Sequence, residues 1–225
     1  GKVIEVEDND LRRSVALKVL RKEMLDRRDL VERFLEEAQI TGQLEHPNIV
    51  PVHEIGVDGR GNLYFTMKLV EGEDLSSILK RMRKKDPGAE QAYPLNRMID
   101  IFIKVCEGMA FAHSKGVIHR DLKPANIMVG RFGEVQIMDW GVAKIVGRKE
   151  ESSERVVGSD RQDDDAARTM VGSILGTPSY MSPEQARGEV NSMGQESDVF
   201  SLGVILYELL ALQTPWNAQT SAQVL

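Results

Sequence analysis

The chain has 225 residues, of which 41% are hydrophobic and 28% are charged, which is ordinary for a globular protein that buries a sizeable core. The formal charge of −6 argues against a nucleic-acid partner, which would require a basic surface. A single cysteine, Cys106, cannot form an internal disulfide, which is typical of a reducing compartment. No apolar run reaches the roughly 18 residues that a membrane-spanning helix needs, so we expect no membrane segment within these residues.

The first part of the chain is predicted to form strands around one helix. Apolar and β-branched runs predict strands at residues 2–7 and 14–20. Apolar side chains recur at helical spacing over residues 30–44, with charged side chains on the other faces, which predicts an amphipathic helix. Two more strands are predicted at residues 49–57 and 63–69, joined by a glycine-rich turn.

Helical patterns dominate the rest of the chain, and we place a domain boundary near Glu71. Asp74 is a predicted N-cap for a short helix, and residues 95–114 form a long helix with apolar periodicity. Residues 147–168 hold five basic and seven acidic side chains with little apolar content, so we expect a mobile loop there. The remaining predicted elements are strands at residues 127–129 and 135–138 around a turn, and a helix at residues 196–212.

The most informative segment is the run His-Arg-Asp-Leu-Lys-Pro-Ala-Asn at residues 119–126, followed thirteen residues later by Asp-Trp-Gly at residues 139–141. Asp121 can accept a hydroxyl proton or orient the hydroxyl for attack, while Asn126 and Asp139 can hold Mg²⁺ through oxygen atoms. The two strings resemble the catalytic loop and the metal-binding motif of eukaryotic-type (Hanks-type) protein kinases.

The resemblance implies a role for each of these residues. Asp121 would be the catalytic base, or at least orient the substrate hydroxyl, and Lys123 would neutralise charge on the transferred phosphoryl group. Asn126 and Asp139 would hold the Mg²⁺ that accompanies ATP. Trp140 departs from the family's usual phenylalanine, but a large aromatic side chain at that position can still pack under the regulatory helix.

Lys18 lies inside an apolar predicted strand, where an ammonium group is costly unless it is paired. Glu37 lies on the following helix, nineteen residues on. In the kinase family, a strand lysine and a helix glutamate at that separation form the ion pair that positions the ATP phosphates. Taken alone, the two residues leave a simpler interpretation, in which Lys18 snorkels at a strand end and Glu37 is a solvated helix glutamate.

Other residues of the N-terminal part match the family's ATP site. Residues 1–3 resemble the end of its glycine-rich phosphate loop, of which the first two glycines are not in this chain. Met67 matches the gatekeeper position ahead of the hinge, and Met128 would form an apolar floor beneath adenine, although either methionine read alone would be ordinary core. Besides Lys18 and Glu37, the cofactor-binding residues that the resemblance implies are Val3, Ala16, Met67, Val70 and Met128.

Residues 176–184 resemble the substrate-docking end of an activation segment that spans residues 139–184, with Ser-Pro-Glu in place of Ala-Pro-Glu. In the family, a lysine at the position of Lys123 together with a threonine at that of Thr177 accompanies serine/threonine specificity. Asp198 resembles the helix aspartate that braces the catalytic-loop backbone, although alone it would be an ordinary first-turn carboxylate.

Arg120 precedes the catalytic aspartate, as in kinases that are switched by phosphorylation of the activation loop, because the arginine can pair with a nearby phosphate. Thr169 and Ser173 are the candidate acceptors for that phosphate. Hydroxyls in the charged loop compete with them, namely Ser152, Ser153 and Ser159.

We therefore expect an α+β, two-lobed, protein-kinase-like fold, with a small β-rich N-lobe at residues 1–70 and a mainly helical, truncated C-lobe at residues 71–225. The string Ser-Pro-Glu-Gln-Ala-Arg-Gly at residues 182–188 further resembles bacterial members of the family. The resemblance implies transfer of the γ-phosphoryl group of ATP to protein Ser or Thr hydroxyls. It also implies a cytoplasmic location, and self-association if the chain phosphorylates itself. Two alternatives stay open, a nucleotide-binding pseudokinase or scaffold and a small-molecule kinase that shares the fold.

Overall fold

A four-stranded antiparallel sheet forms the N-terminal part of the fold in the computed structural model, which describes residues 2–145, 178–189 and 192–216. In chain order, this N-terminal part consists of strand β1 (Lys2–Asp8), strand β2 (Arg13–Leu20), helix α1 (Arg28–Gln43), strand β3 (Val52–Val57) and strand β4 (Leu63–Lys68). The strand order β1-β2-β4-β3 places β2 and β4 at the centre, where their apolar runs are buried best.

One face of this sheet packs against α1. The register places Ala16 opposite Met67 and Lys18 opposite Phe65, so these four side chains share a face. Phe34 of α1 packs on Phe65, with the ring centroids 5.0 Å apart. Lys18 therefore lies on an apolar surface that a helix covers. The first hydrophobic cluster, which fills this space, consists of Ala16, Leu20, Phe34, Ala38, Val50, Phe65 and Met67.

The chain becomes mainly helical after β4. The next elements are strand β5 (Gly72–Asp74) and helices α2 (Leu75–Arg83), α3 (Pro87–Ala92) and α4 (Leu95–Ser114). Asp74 caps α2, as predicted, by accepting the N–H of Ser77 at 2.9 Å. Asp86 caps α3 in the same way through the N–H of Ala89, also at 2.9 Å. These caps fix where each helix begins.

Short strands and two more α-helices follow α4 in the described residues. They are β6 (Val117–Ile118), β7 (Ile127–Gly130), β8 (Val135–Ile137), β9 (Lys144–Ile145), α5 (Pro183–Ala186) and α6 (Gln195–Ala211). Strands β5, β7 and β8 form an antiparallel sheet, and β6 pairs with β9. The segment at residues 119–126 thus begins and ends at paired strands, which restrict where it can lie.

A second, larger hydrophobic cluster lies among α2, α4, β7 and β8. Ile40 and Leu44 at the end of α1, and Ile49 just after it, also belong to this cluster. The helix α1 therefore joins the two clusters. Among the described residues, no helix is both long enough and apolar enough to cross a membrane.

The α+β prediction is confirmed, and most predicted elements lie within two residues of their observed bounds; α4 matches residue for residue. The strand predicted at residues 49–57 begins later, at Val52, because Ile49 bridges to Ile137 and the Val50 N–H donates to the Ile137 carbonyl. The predicted mobile loop at residues 147–168 lies outside the described residues. The division into lobes at residue 70 stays a prediction.

Two phenylalanines that differ widely in solvent exposure provide a test of the packing in the first hydrophobic cluster. Phe65 is 2% exposed and Phe132, in the turn between β7 and β8, is 94% exposed. We expect Phe65→Ala to lower the free energy of unfolding by about 3–5 kcal/mol because it leaves a cavity, and Phe132→Ala to change it by less than about 0.5 kcal/mol. Urea unfolding of both variants measures this difference, and similar losses in the two would contradict the packing described.

Candidate active site

A lysine from β2, a glutamate from α1 and an aspartate that follows β8 meet at one point. The Nζ atom of Lys18 lies 2.5 Å from Oε1 of Glu37 and 3.6 Å from Oδ1 of Asp139. The side chain of Glu37 is only 10% exposed, whereas that of Asp139 is 54% exposed. One carboxylate therefore holds the lysine from the protein side, while the other remains accessible from solvent.

Burial raises the pKa of Glu37 above the usual value, and the nearby charge of Asp139 acts in the same direction. Lys18 lowers this pKa by its charge and its hydrogen bond, without cancelling the effect of burial. The folded chain therefore holds the Glu37 proton more tightly than the unfolded chain does. The contribution of Glu37 to the free energy of unfolding is therefore largest at low pH. It falls as the pH rises from the pKa of Glu37 in the unfolded chain through its higher pKa in the folded chain.

A second group of polar side chains lies in the segment between β6 and β7. The Nζ atom of Lys123 lies 2.7 Å from Oδ2 of Asp121. Asn126 donates its Nδ2–H to the carbonyl of Asp121 at 2.9 Å and approaches Oδ2 of the same residue at 3.4 Å. Because the Asn126 amino group is used in this way, its Oδ1 atom is the one suited to bind a cation.

The buried carboxylate of Asp198 holds the backbone of this segment. The N–H of His119 donates to Oδ2 of Asp198 at 2.8 Å, and the N–H of Arg120 donates to Oδ1 at 2.9 Å. The Nε2 atom of His113 lies 2.8 Å from the same Oδ2. These contacts agree with the predicted brace, and they hold Arg120 at a φ of 66°, in the left-handed region that is unfavourable for a residue with a side chain.

The two polar groups are joined through the residue before Asp139. The N–H of Met138 donates to the carbonyl of Asn126 at 2.8 Å, and the ring Nε2 of His119 lies 3.1 Å from the carbonyl of Met138. Close packing also restricts which side chain fits at position 141. A Cβ atom at Gly141 would lie 3.1 Å from Oε2 of Glu37, tighter than most real contacts, so glycine suits that position.

Sequence reasoning missed several contacts around the segment after residue 177. The hydroxyl of Tyr180 donates to Oε2 of Glu208 at 2.5 Å, and Arg83 forms an ion pair with the same carboxylate. Burial and this hydrogen bond raise the pKa of Tyr180. Gln185 donates its Nε2–H to the carbonyl of Arg120 at 2.6 Å. The only sequence signal was Ser-Pro-Glu-Gln, which has the spacing of a capping box.

Of the predicted cofactor-binding residues other than Lys18 and Glu37, three lie on one face of the N-terminal sheet. Ala16 and Met67 are buried on the sheet face that carries Lys18, and Val3, which is 51% exposed, lies opposite Lys18 on β1. Val70, just after β4, and Met128, on β7, are half-buried and belong to neither strand of that face. Predicted residues that lie outside the described ones are Gly1, Thr169, Ser173 and Thr177, together with the serines of the charged loop.

The oxygen donors of this site suit Mg²⁺. Within the described residues, no three or more His, Cys, Asp or Glu side chains form a group that could hold a metal ion. Mg²⁺ does not require such a group, because it usually binds one or two protein oxygens and completes its octahedron with phosphates and waters. The carboxylate of Asp139 and the amide oxygen of Asn126 are donors of that kind, on segments joined by the Met138 hydrogen bond.

Comparison with known proteins shows the family to which this chain belongs. The family model for the protein kinase domain matches residues 1–225, and this chain belongs to that family. It is 38% identical over 224 residues to the serine/threonine-protein kinase PknD of Protochlamydia amoebophila, covering 98% of this chain and 22% of that protein. It is 41% identical over 225 residues to PknD of Chlamydia muridarum, covering 96% and 24%. The chain thus spans about a quarter of the length of these curated relatives.

The contact between Lys18 and Glu37 can be tested without any assay of activity. We expect Lys18→Met to raise the pKa of Glu37 further, because the substitution removes the opposing charge and hydrogen bond and keeps the burial. Titration of the labelled Glu37 carboxyl carbon by NMR measures this shift. Lys22→Met, an exposed lysine, is the control and should leave the Glu37 pKa as it is. An unchanged pKa in Lys18→Met would contradict the ion pair.

Proposed function

We propose that this chain transfers the γ-phosphoryl group of ATP to Ser and Thr hydroxyls of proteins. The observation that carries the proposal is the joining of two polar groups: Lys18 with Glu37 and Asp139, and Asp121 with Lys123 and Asn126. Phosphoryl transfer depends mainly on positioning and on charge neutralisation, which are what these two groups offer. The names of the relatives, all serine/threonine-protein kinases, support the same activity.

The first group is suited to hold ATP. Lys18, oriented by Glu37, would bind the phosphates, and Asn126 and Asp139 would hold Mg²⁺. When bound, Mg²⁺ supplies neutralisation of the charge that develops on the phosphate oxygens. The adenine ring would lie against the apolar side chains of Val3, Ala16, Met67, Val70 and Met128.

The second group is suited to the transfer itself. Asp121 would orient the substrate hydroxyl and accept its proton as the new O–P bond forms and the bond from the γ-phosphorus to the leaving oxygen of ADP breaks. Lys123 contacts Asp121 at 2.7 Å, so its ammonium group lies where it can also stabilise the transferred group. The Asn126 amide keeps the Asp121 carboxylate in place by its bonds to that residue.

The two alternatives are less well supported. A pseudokinase does not require the polar contacts of Lys18, Asp121, Asn126 and Asp139, all of which are present. A small-molecule kinase does not require a peptide-docking segment such as residues 176–184. Within the same proposal we place the chain on the cytoplasmic side of the cell, where ATP is available. We also expect phosphorylation of Thr169 or Ser173 by a second copy.

Asp121→Asn tests the proposed catalytic base. The substitution keeps the shape of the side chain and removes the proton acceptor, so ATP binding should persist while kcat falls by about 100-fold or more. The measurement is label transfer from γ-labelled ATP with Mg²⁺ to a generic protein substrate and to the protein itself, using the full-length protein. Mapping of the label would identify the acceptors.

Asp100→Asn, which changes an exposed aspartate of α4, is the matched control and should behave like the parent protein. Unchanged turnover in Asp121→Asn would overturn the assignment of the base. An ATP-binding parent protein that labels no protein would favour the scaffold, and a labelled metabolite with no labelled protein would favour the small-molecule kinase.

Two adjacent glutamates of α1 test how ATP is positioned. Glu37 is buried against Lys18, whereas Glu36 is exposed. We expect Glu37→Gln to reduce kcat/KM for ATP by roughly tenfold or more, because Lys18 loses the charge that orients it. Glu36→Gln should leave kcat/KM unchanged. Steady-state kinetics with varied ATP measures both, and equal values for the two variants would show that the ion pair does not position ATP.

A further inference from the structure

The backbone of Arg120, directly before the proposed base, is held on both sides. Its N–H donates to Oδ1 of Asp198 on α6 at 2.9 Å, and its carbonyl accepts the Nε2–H of Gln185 on α5 at 2.6 Å. The φ of 66° at Arg120 is unfavourable for a residue with a side chain, so surrounding contacts must maintain it. The accepting carbonyl belongs to the peptide group that leads into Asp121.

The orientation of the Gln185 side chain is determined by its other contact. The side-chain Oε1 atom of Gln185 accepts the backbone N–H of Ser182 at 3.0 Å. The backbone N–H of Gln185 donates to Oγ of Ser182 at 3.4 Å, and the two bonds form a capping box at the start of α5. A flipped amide would place oxygen against the Arg120 carbonyl and an amino group against the Ser182 N–H, both repulsive. With the residue 1% exposed, water cannot replace these partners.

We propose that Gln185 is a positioning residue for the catalytic loop, tying the capped start of α5 to the peptide group that carries Asp121. The inference rests on the proposed phosphoryl transfer, for which Asp121 is the base. The side-chain amide of Gln185 thereby fixes the position of the catalytic loop relative to the segment that follows Tyr180. A small displacement of a reacting group lowers the rate far more than it lowers substrate affinity.

A further contact of Arg120 shows how the Gln185 hydrogen bond bears on the geometry of the site as well as on its packing. The Nε–H of Arg120 donates to the carbonyl of Val142 at 2.6 Å, so the same residue also contacts the segment after Asp139. Arg120 is thus bonded to α6 by its N–H, to α5 by its carbonyl and to residues near the metal-binding aspartate by its side chain. Release of the carbonyl frees one of these three attachments.

Two substitutions separate the hydrogen bond from the volume of the side chain. Gln185→Met keeps similar bulk without a donor, so we expect kcat to fall by about tenfold while KM for ATP stays the same. Gln185→Glu keeps the acceptor for Ser182 but can donate to the Arg120 carbonyl only when protonated. Because burial favours the protonated form, the kcat of this variant relative to the parent should rise as the pH falls from about 8 to about 6.

A purely structural role would not give that pH dependence. For Gln185→Met, the ratio to the parent should be flat over the same range, since no titratable group is added. Ile101→Val, a mild core substitution in α4, is the control for general destabilisation and should leave kcat near that of the parent. The parent and both variants share the charged or titratable residues that are linked to Gln185: Arg120, which it contacts, Asp198, which contacts Arg120, His113 and His119, which contact Asp198, and the chain neighbours Glu184 and Arg187.

Hydrogen exchange of the full-length protein decides the inference independently of turnover. In Gln185→Met, the amides of residues 119–126 should exchange faster than in the parent, while those of α4 stay protected. Unchanged exchange there, or equal pH-independent kcat for both Gln185 variants, would overturn the positioning role. A parent protein without transfer activity would overturn the proposed function instead, and the exchange comparison would still decide the role of Gln185.

Discussion

The buried carboxylate of Asp198 fixes the backbone on which the rest of the candidate site depends. Its side chain is 1% exposed, and a carboxylate removed from water is tolerated only when its oxygens are hydrogen-bonded. The backbone N–H groups of His119 and Arg120 and the ring of His113 meet that need. Because these donors come from the loop between β6 and β7 and from α4, the Asp198 side chain joins both of them to α6. The loop therefore cannot move away without leaving a buried acceptor short of partners.

The ion pair between Lys18 and Glu37 follows a different logic. A buried ion pair rarely stabilises a fold more than apolar residues of similar volume would. Here burial raises the pKa of Glu37, which means that the folded state disfavours the very charge that the pair requires. Packing of α1 on the sheet does not require that charge, since Phe34 and Phe65 supply the apolar contact. Groups with shifted pKa values concentrate at functional sites, which agrees with the proposed role of this pair in positioning ATP.

Elements with a long repeating pattern were predictable from the sequence, while contacts between distant segments mostly were not. α4 was predicted to the residue because 20 residues repeat one apolar spacing. Lys18 and Glu37 could be matched because a lysine inside an apolar strand requires a carboxylate, and the family resemblance named one. The bond from Gln185 to Arg120 joins residues 65 apart, and nothing local specifies that distance. Strands β5, β6 and β9, of two or three residues each, escaped prediction because they are too short to show any period, whereas β8, which is equally short, was predicted beside a glycine-containing turn.

Trp140, which stands where the family usually has phenylalanine, is buried although one of its polar atoms lacks a hydrogen-bond partner in the part of the chain that the structure describes. Its ring is 1% exposed and packs on the ring of His119 at a centroid distance of 4.6 Å, so its apolar bulk is fully used. Its Nε1–H has no hydrogen-bond partner among the described residues. A buried unpaired donor costs about 1–3 kcal/mol, which the larger ring must offset by packing. The assembled site therefore carries several unfavourable contributions, among them this donor, the left-handed backbone of Arg120 and the buried charge of Glu37, and the favourable contacts of the whole fold must outweigh them for the arrangement to persist.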